Sequence, residues 1–354
     1  MENVIPFLLS LISESGLSGF EEQVCKMIAN QWTPLVDRLS VSPLGSLHGL
    51  RKAASNDPRP SLMIATHMDA IGLMAKQIED GLIFLTKIGG VDPRILPGQQ
   101  VTVHGRKDLP GIVQMLPDRL LDEDKKGKAP AFERLFVDTG LEHKELVKLV
   151  RAGDLISFAQ TPIELNGKHI AGHSLDNRAS VAALTVCLEE IRNFNLAWNV
   201  VAVATTREET SLAGAKTSAY GLRPDLAIVV DVTYAKGPGS NDYRTFPLGG
   251  GPTIGTGSDN HPALTSKFIS LVEEMDMPYD IEAMPENSST DGMVLSVTAN
   301  GIPTIVVSVP LRYMHTTVEM VAVNDIERVG RLLARFITQL KTDSMTTLFE
   351  EENV

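Results

Sequence analysis

The sequence has 354 residues, 43% hydrophobic and 21% charged, with a formal net charge of −12. That length suits two domains, or one domain carrying a large insertion, rather than one simple core. The acid excess excludes nucleic acid as a partner, because phosphate binding needs a clustered basic surface. The nearest thing to one, Lys125-Lys126-Gly127-Lys128, comes after Asp122-Glu123-Asp124 and reads as a solvated loop.

The chain opens MENVIPFLLSLIS, with no basic leader and no small-residue cleavage site. Its apolar run is broken by Pro6 and far too short to span a bilayer, so no membrane partner and a cytoplasmic location are expected. A second helix comes next, where Ser18 and Glu21 have capping-box spacing and Val24, Met27 and Ile28 continue one face. Cys25 and Cys187 lack a CxxC partner and are expected as buried free thiols. Beyond the helix lie a weak strand near 35–41, a turn at Pro43-Leu44-Gly45, and a polar loop to Pro60; the apolar run 61–66 predicts a buried strand.

From about Ala70 to Pro162 short β-like runs alternate with Gly and Pro, with one helix near 143–152, which predicts a small β-rich barrel or sandwich. After Ala171 the texture becomes α/β: a helix at 177–191, strands at 199–206 and 226–232, a helix at 262–275 and a strand at 302–309. A last helix, capped by Asn324 or Asp325, presents Ile326, Val329, Leu333, Phe336 and Leu340; the acidic tail beyond Lys341 is expected to fray. Near-continuous apolar strands between amphipathic helices predict an α/β fold with a largely parallel sheet covered on both faces. Residues 1–69 and 163–354 would form that domain, and 70–162 an inserted β-rich one.

The residue types that carry chemistry sit at strand ends. His67 and Asp69 come directly after 61–66, Glu208 and Glu209 after 199–206; Asp231 closes 226–232, and His315 lies just past 302–309. Sites in open α/β sheets form at the carboxyl ends of strands, so these groups should share one rim, which Asp176 at the start of its helix could join. Taken singly, each has a blander explanation: a satisfied histidine, a solvated Glu-Glu pair, a helix cap. Together they would repel unless two divalent cations sat among them. Imidazole and carboxylate donors suit zinc, cobalt or manganese, a carboxylate such as Asp176 can bridge two ions, and water between them would be acidified.

At these residues the sequence resembles the M42 family of metallo-aminopeptidases, over residues 17–340. The matching stretches are His67-Met68-Asp69-Ala70-Ile71-Gly72, the run 88–98 ending Pro93-Arg94-Ile95-Leu96-Pro97-Gly98, Leu175-Asp176-Asn177-Arg178, Arg207-Glu208-Glu209, Val230-Asp231-Val232 and Arg312-Tyr313-Met314-His315. The resemblance implies His67 and Asp231 on one metal, Glu209 and His315 on the other, and Asp176 bridging. Asp69 would orient the His67 imidazole. Glu208 would be the general base, taking a proton from the bridging water and passing it to the leaving amine. One ion would polarise the scissile carbonyl and the other would hold the free α-amine, so that short peptides lose their N-terminal residue. The resemblance further implies a β-barrel insertion and self-association, as a dodecamer or a dimer.

The sequence departs from that pattern at Ala70, at Thr210-Ser211, at His173, and at Ser288-Ser289 within the candidate substrate-binding run Ser288, Ser289, Thr290 and Asp291. No expected ligand is lost. The alternatives are an amidase or deacylase using the same site on N-modified amino acids, and a catalytically silent oligomeric scaffold.

Overall fold

A computed structural model describes residues 4–55, 58–120 and 128–350, so Lys125 and Lys126 lie outside the described residues. Helices α1 (Val4–Ile12) and α2 (Glu22–Trp32) bury Leu8, Leu11, Val24, Ile28 and Trp32. The expected capping box does not form. Glu21, 5% exposed, instead accepts backbone N–H bonds from Gly19 (2.6 Å) and from the distant Arg207 (3.1 Å), while Ser18 Oγ meets Thr210 Oγ1 at 2.8 Å. Tertiary donors have outbid the local one.

Strand β1 (Arg38–Val41) and the turn at 43–45 form as expected, but the chain then makes a second strand, β2 (Leu47–Arg51), where a loop to Pro60 is expected, and the two pair as a hairpin. The inward positions of β2 begin Leu47, Gly49, and a glycine carries no apolar signal. Trp32 and Val36 lie so near Gly49 that a Cβ there would be tightly packed. Strand β3 (Ser61–His67) then enters the sheet centre.

Six strands next close on themselves: β4 (Gly72–Glu79), β5 (Leu82–Ile88), β6 (Gln100–His104), β7 (Asp108–Met115), β8 (Leu135–Asp138) and β9 (Leu155–Phe158), with α3 (His143–Leu149) between the last two. They form an antiparallel barrel in the order β4-β5-β8-β7-β6-β9, packed inside by residues such as Leu73, Ile83, Val103, Val137 and Ile156. Strands β10 (Ile163–Leu165) and β11 (His169–Gly172) return the chain to the large sheet.

The rest alternates helix and strand: α4 (Leu175–Glu190), β12 (Asn199–Thr205), α5 (Glu208–Ser211), α6 (Ala213–Leu222), β13 (Leu226–Tyr234), β14 (Thr253–Gly257), α7 (Pro262–Glu274), β15 (Asp280–Met284), α8 (Gly292–Leu295), β16 (Thr304–Arg312), β17 (Glu319–Ala322), α9 (Val323–Gln339) and α10 (Ser344–Glu350). The sheet runs β1-β2-β12-β3-β13-β16-β17-β11-β10, with β14 pairing β16 and β15. Its centre, β12-β3-β13-β16, is parallel, and antiparallel strands flank it. Alternate residues of β3 serve opposite faces. Leu62 and Ile64 meet α4, α7 and α9 in the larger core, and Met63 and Ala65 meet α6 and α8 in the smaller.

Two terminal expectations are corrected. Neither Asn324 nor Asp325 caps α9; Asp325 is buried and accepts N–H bonds from Gly249 (2.7 Å) and Gly251 (2.9 Å). Within the tail, Ser344–Glu350 forms α10, whose Met345, Leu348 and Phe349 pack on the main core, while 351–354 lie outside the described residues. Three apolar side chains at helical spacing outweigh the surrounding acids.

Candidate metal centre and active-site cavity

In the parallel register His67 lies beside Thr205, so the turns leaving β3 and β12 emerge together. The turn after β12 holds Arg207 at positive φ and runs into the single-turn α5, which carries Glu208 and Glu209. Asp69, fully buried, ties the two turns: its carboxylate oxygens accept the N–H groups of Glu208 (3.0 Å) and Glu209 (3.2 Å). The nearest partner of His67 Nδ1 is the Asp69 carbonyl at 3.2 Å, with the Asp69 carboxylate at 3.5 Å. Asp69 thus positions the glutamate pair as well as the imidazole.

Asp176 stands at the start of α4 but outside helical geometry, two residues after Ser174, which has positive φ. Asp231 does not end its strand. It lies within β13, opposite Ser308 of β16, because the strand continues to Tyr234. His315 and Tyr313, past β16, also have positive φ. Non-glycine residues in this region cost on the order of 1 kcal/mol each, and such positions gather at functional sites. Gly90, between β5 and β6, comes so close to the His315 ring that any Cβ would collide with it, which brings the barrel to the cavity.

The structure brings six sequence-predicted side chains into one cluster. His67 Nε2 is 3.1 Å from Asp176 Oδ1 and 3.7 Å from both Glu208 Oε2 and Asp231 Oδ1. His315 Nε2 is 3.4 Å from Asp176 Oδ2 and 3.4 Å from Glu209 Oε2. Asp176 therefore turns one oxygen towards each histidine. Two sets, His67-Glu208-Asp231 and His67-Asp176-Glu209, place all their donor atoms within 4.8 Å of one another.

Their charges do not balance in isolation. Burial pushes the Glu208 and Glu209 carboxyls well above the usual range, with neighbouring carboxylates adding to it. Asp231 is pushed up to about 7, chiefly by burial. Burial also opposes charge on His67 and Asp176, but the carboxylates around His67 hold its imidazole well above its ordinary value, and the two histidines hold Asp176 below its own. Among the described residues, no lysine or arginine lines the cavity to neutralise this excess. Hard oxygen and imidazole donors on desolvated acids fit divalent cations.

The cavity has a volume of about 750 Å³. Ser288, Ser289 and Thr290 line it; Asp291, 1% exposed, lies behind it and accepts the Thr205 hydroxyl at 2.6 Å. Of the other departures, Ala70 is buried, and Thr210 lines the cavity. His173 is buried edge-on to Phe158, 3.1 Å from the Ile71 carbonyl, and burial pulls it down to about 4.

Two residues absent from the expected set hold the cluster. Glu319, fully buried in β17, accepts the N–H groups of Asp176 (3.1 Å) and His315 (2.9 Å), so one carboxylate joins two site segments. Glu319 stands four residues after His315, a local clue that spacing alone leaves uninterpreted. Arg178 is inserted beneath the site, donating to the Met68 carbonyl and to the Leu11, Glu14 and Ser15 carbonyls that end α1.

No helix among the described residues is long and apolar enough to cross a membrane. The family model for M42 glutamyl aminopeptidase matches residues 45–332. The chain is 28% identical to lysyl aminopeptidase of Pyrococcus furiosus, over 95% of this chain and 97% of the relative. Among solved structures it is similar to an aminopeptidase of Desulfurococcus kamchatkensis, with a TM-score of 0.91, 30% identity and 98% of each chain covered. It is also similar to the TET1 peptidase of Pyrococcus horikoshii, with a TM-score of 0.83 and 27% identity over 95% of this chain and all of the other. That peptidase can assemble into a tetrahedron or a large octahedral shell.

Proposed function

The chain belongs to the M42 glutamyl aminopeptidase family, and from that premise we propose that it is a two-metal aminopeptidase releasing the N-terminal residue of short peptides. The observation that carries this is Asp176, whose two oxygens face His67 and His315 at 3.1 and 3.4 Å. His67 and Asp231 would hold one divalent ion, Glu209 and His315 the other, and Asp176 both, with zinc or cobalt ahead of manganese. Such ions supply Lewis acidity for the scissile carbonyl and lower the pKa of water.

The protein's own groups do the rest. Glu208 takes the proton of the attacking water and delivers it to the leaving amine; burial raises its proton affinity, which suits it to accept that proton. Glu208 and Asp231 are equally distant from His67, but Glu208 sits on a one-turn helix at the cavity whereas Asp231 is locked within a central strand. Asp69 holds α5, and with it Glu208, in register with His67.

Residues 1–69 and 163–354 form the catalytic unit in this proposal, and 70–162 the inserted assembly unit. Two features support the division: strands β4 to β9 pair only with one another, and the outward Ile112, Leu116 and Leu120 are exposed. A homo-oligomer is the corollary, a dodecamer ahead of a dimer. A cytoplasmic setting suits the two unpaired buried cysteines.

The test is turnover of aminoacyl p-nitroanilides and their N-acetylated counterparts after chelation and after restoring zinc, cobalt or manganese. Free-amine substrates should be cleaved only with metal restored. Release of acetate from the N-acetyl series, with the anilide left intact, would make the protein a deacylase, and no hydrolysis in any state would make it a scaffold.

A further inference from the structure

Away from the His67–His315 cluster, the cavity wall is neutral except at one carboxylate, Glu282. Glu282 lies in β15 with its side chain on the same face as Met284. One of its oxygens accepts the Thr233 hydroxyl at 2.6 Å and the other the Thr253 hydroxyl at 2.6 Å, with the Ser308 hydroxyl as a further partner. All three are uncharged. Among the described residues, no charged group pairs with Glu282, and no lysine or arginine lines the cavity. Two hydroxyl donors, one on each oxygen, fix the orientation of the carboxylate without neutralising it, so a cation arriving here would meet an oriented acid.

Its location sets the length of what could reach it. Thr233 lies two residues beyond Asp231 on β13, so both side chains share a face about 7 Å apart. Ser308 is the cross-strand neighbour of Asp231. An extended lysine places its ammonium roughly 6 Å from its Cα, on an apolar stem that Met284 and Met314 on the cavity wall can cover. An acidic side chain would meet repulsion from Glu282 and find no cation to receive it.

We propose that Glu282 is the specificity-determining residue of the cavity and selects peptides whose N-terminal residue is lysine or arginine. This rests on the aminopeptidase function proposed above. The metal-loaded protein is assayed on lysyl, arginyl, norleucyl and glutamyl p-nitroanilides; norleucine has the lysine stem without its ammonium. We expect kcat/KM for lysine to exceed that for norleucine by about tenfold or more, the worth of one charged hydrogen bond, with glutamate lowest. Glu282→Gln should bring the lysine-to-norleucine ratio towards unity. Equal rates on lysine and norleucine in the unaltered protein would overturn the proposal and leave the aminopeptidase standing, even if the variant failed to fold. Turnover of none of the four would overturn both.

Discussion

Inside the barrel, Leu73, Ile83, Val103, Val137 and Ile156 meet one another, and none of the described charged residues between β4 and β9 is buried. At the rim of the large sheet His67, Asp69, Asp176, Asp231 and Glu319 are just as inaccessible. The barrel interior is stabilised by removing apolar surface from water, at about 25 cal/mol per Å², and needs nothing else. The rim buries charge, which is favourable only where every group has a partner. Backbone N–H groups serve Asp69 and Glu319, yet burial leaves Glu319, like Glu208, Glu209 and Asp231, with a raised proton affinity. One region is complete as folded; the other is built around something added.

Substitutions on each side can break or sharpen that contrast. The largest effect should come from Glu208→Gln, which removes the proton acceptor while keeping shape: kcat should fall about 10²–10⁴-fold with bound metal unchanged by elemental analysis. Near-normal turnover with both metals present would remove Glu208 from its role. In the barrel, Ile156→Ala leaves a cavity at a fully buried site and should cost about 2–5 kcal/mol in denaturant unfolding. The same variant should leave metal content untouched; a loss of metal would show that the two regions are energetically one. Glu319→Gln should be milder. It replaces one of two acceptor oxygens with a donor facing an N–H group, so metal affinity measured by calorimetry should drop about 10–100-fold with little change in the thermal midpoint of the metal-free protein. Unaltered affinity would reduce Glu319 to a packing residue.

Much of the rim is legible in the sequence. His67, Glu208, Glu209 and His315 follow apolar runs of the kind that become buried strands, and the ends of parallel strands converge. The sequence puts Asp231 at a strand end because its apolar run stops at Val232, yet β13 continues through Thr233 and Tyr234 on sheet pairing alone. Glu319 and Glu282 are not legible. Their partners are backbone N–H groups and hydroxyls from elsewhere in the chain, and such donors leave no mark in spacing. Glu21 and Asp325 mislead for the same reason: local cap patterns are overridden by distant N–H groups.

By itself, the order of residues determined the α/β class, the β-rich stretch between 70 and 162, and the side chains gathered at the rim. Those properties arise from hydrophobic periodicity and from strand direction, which act over short stretches of chain. Only the tertiary structure decided which carboxylates face metal-type donors, which grip backbone, and which one stands alone in the cavity wall. A carboxylate takes its role from whichever donors come within about 3 Å of it, and folding brings those from anywhere in the chain.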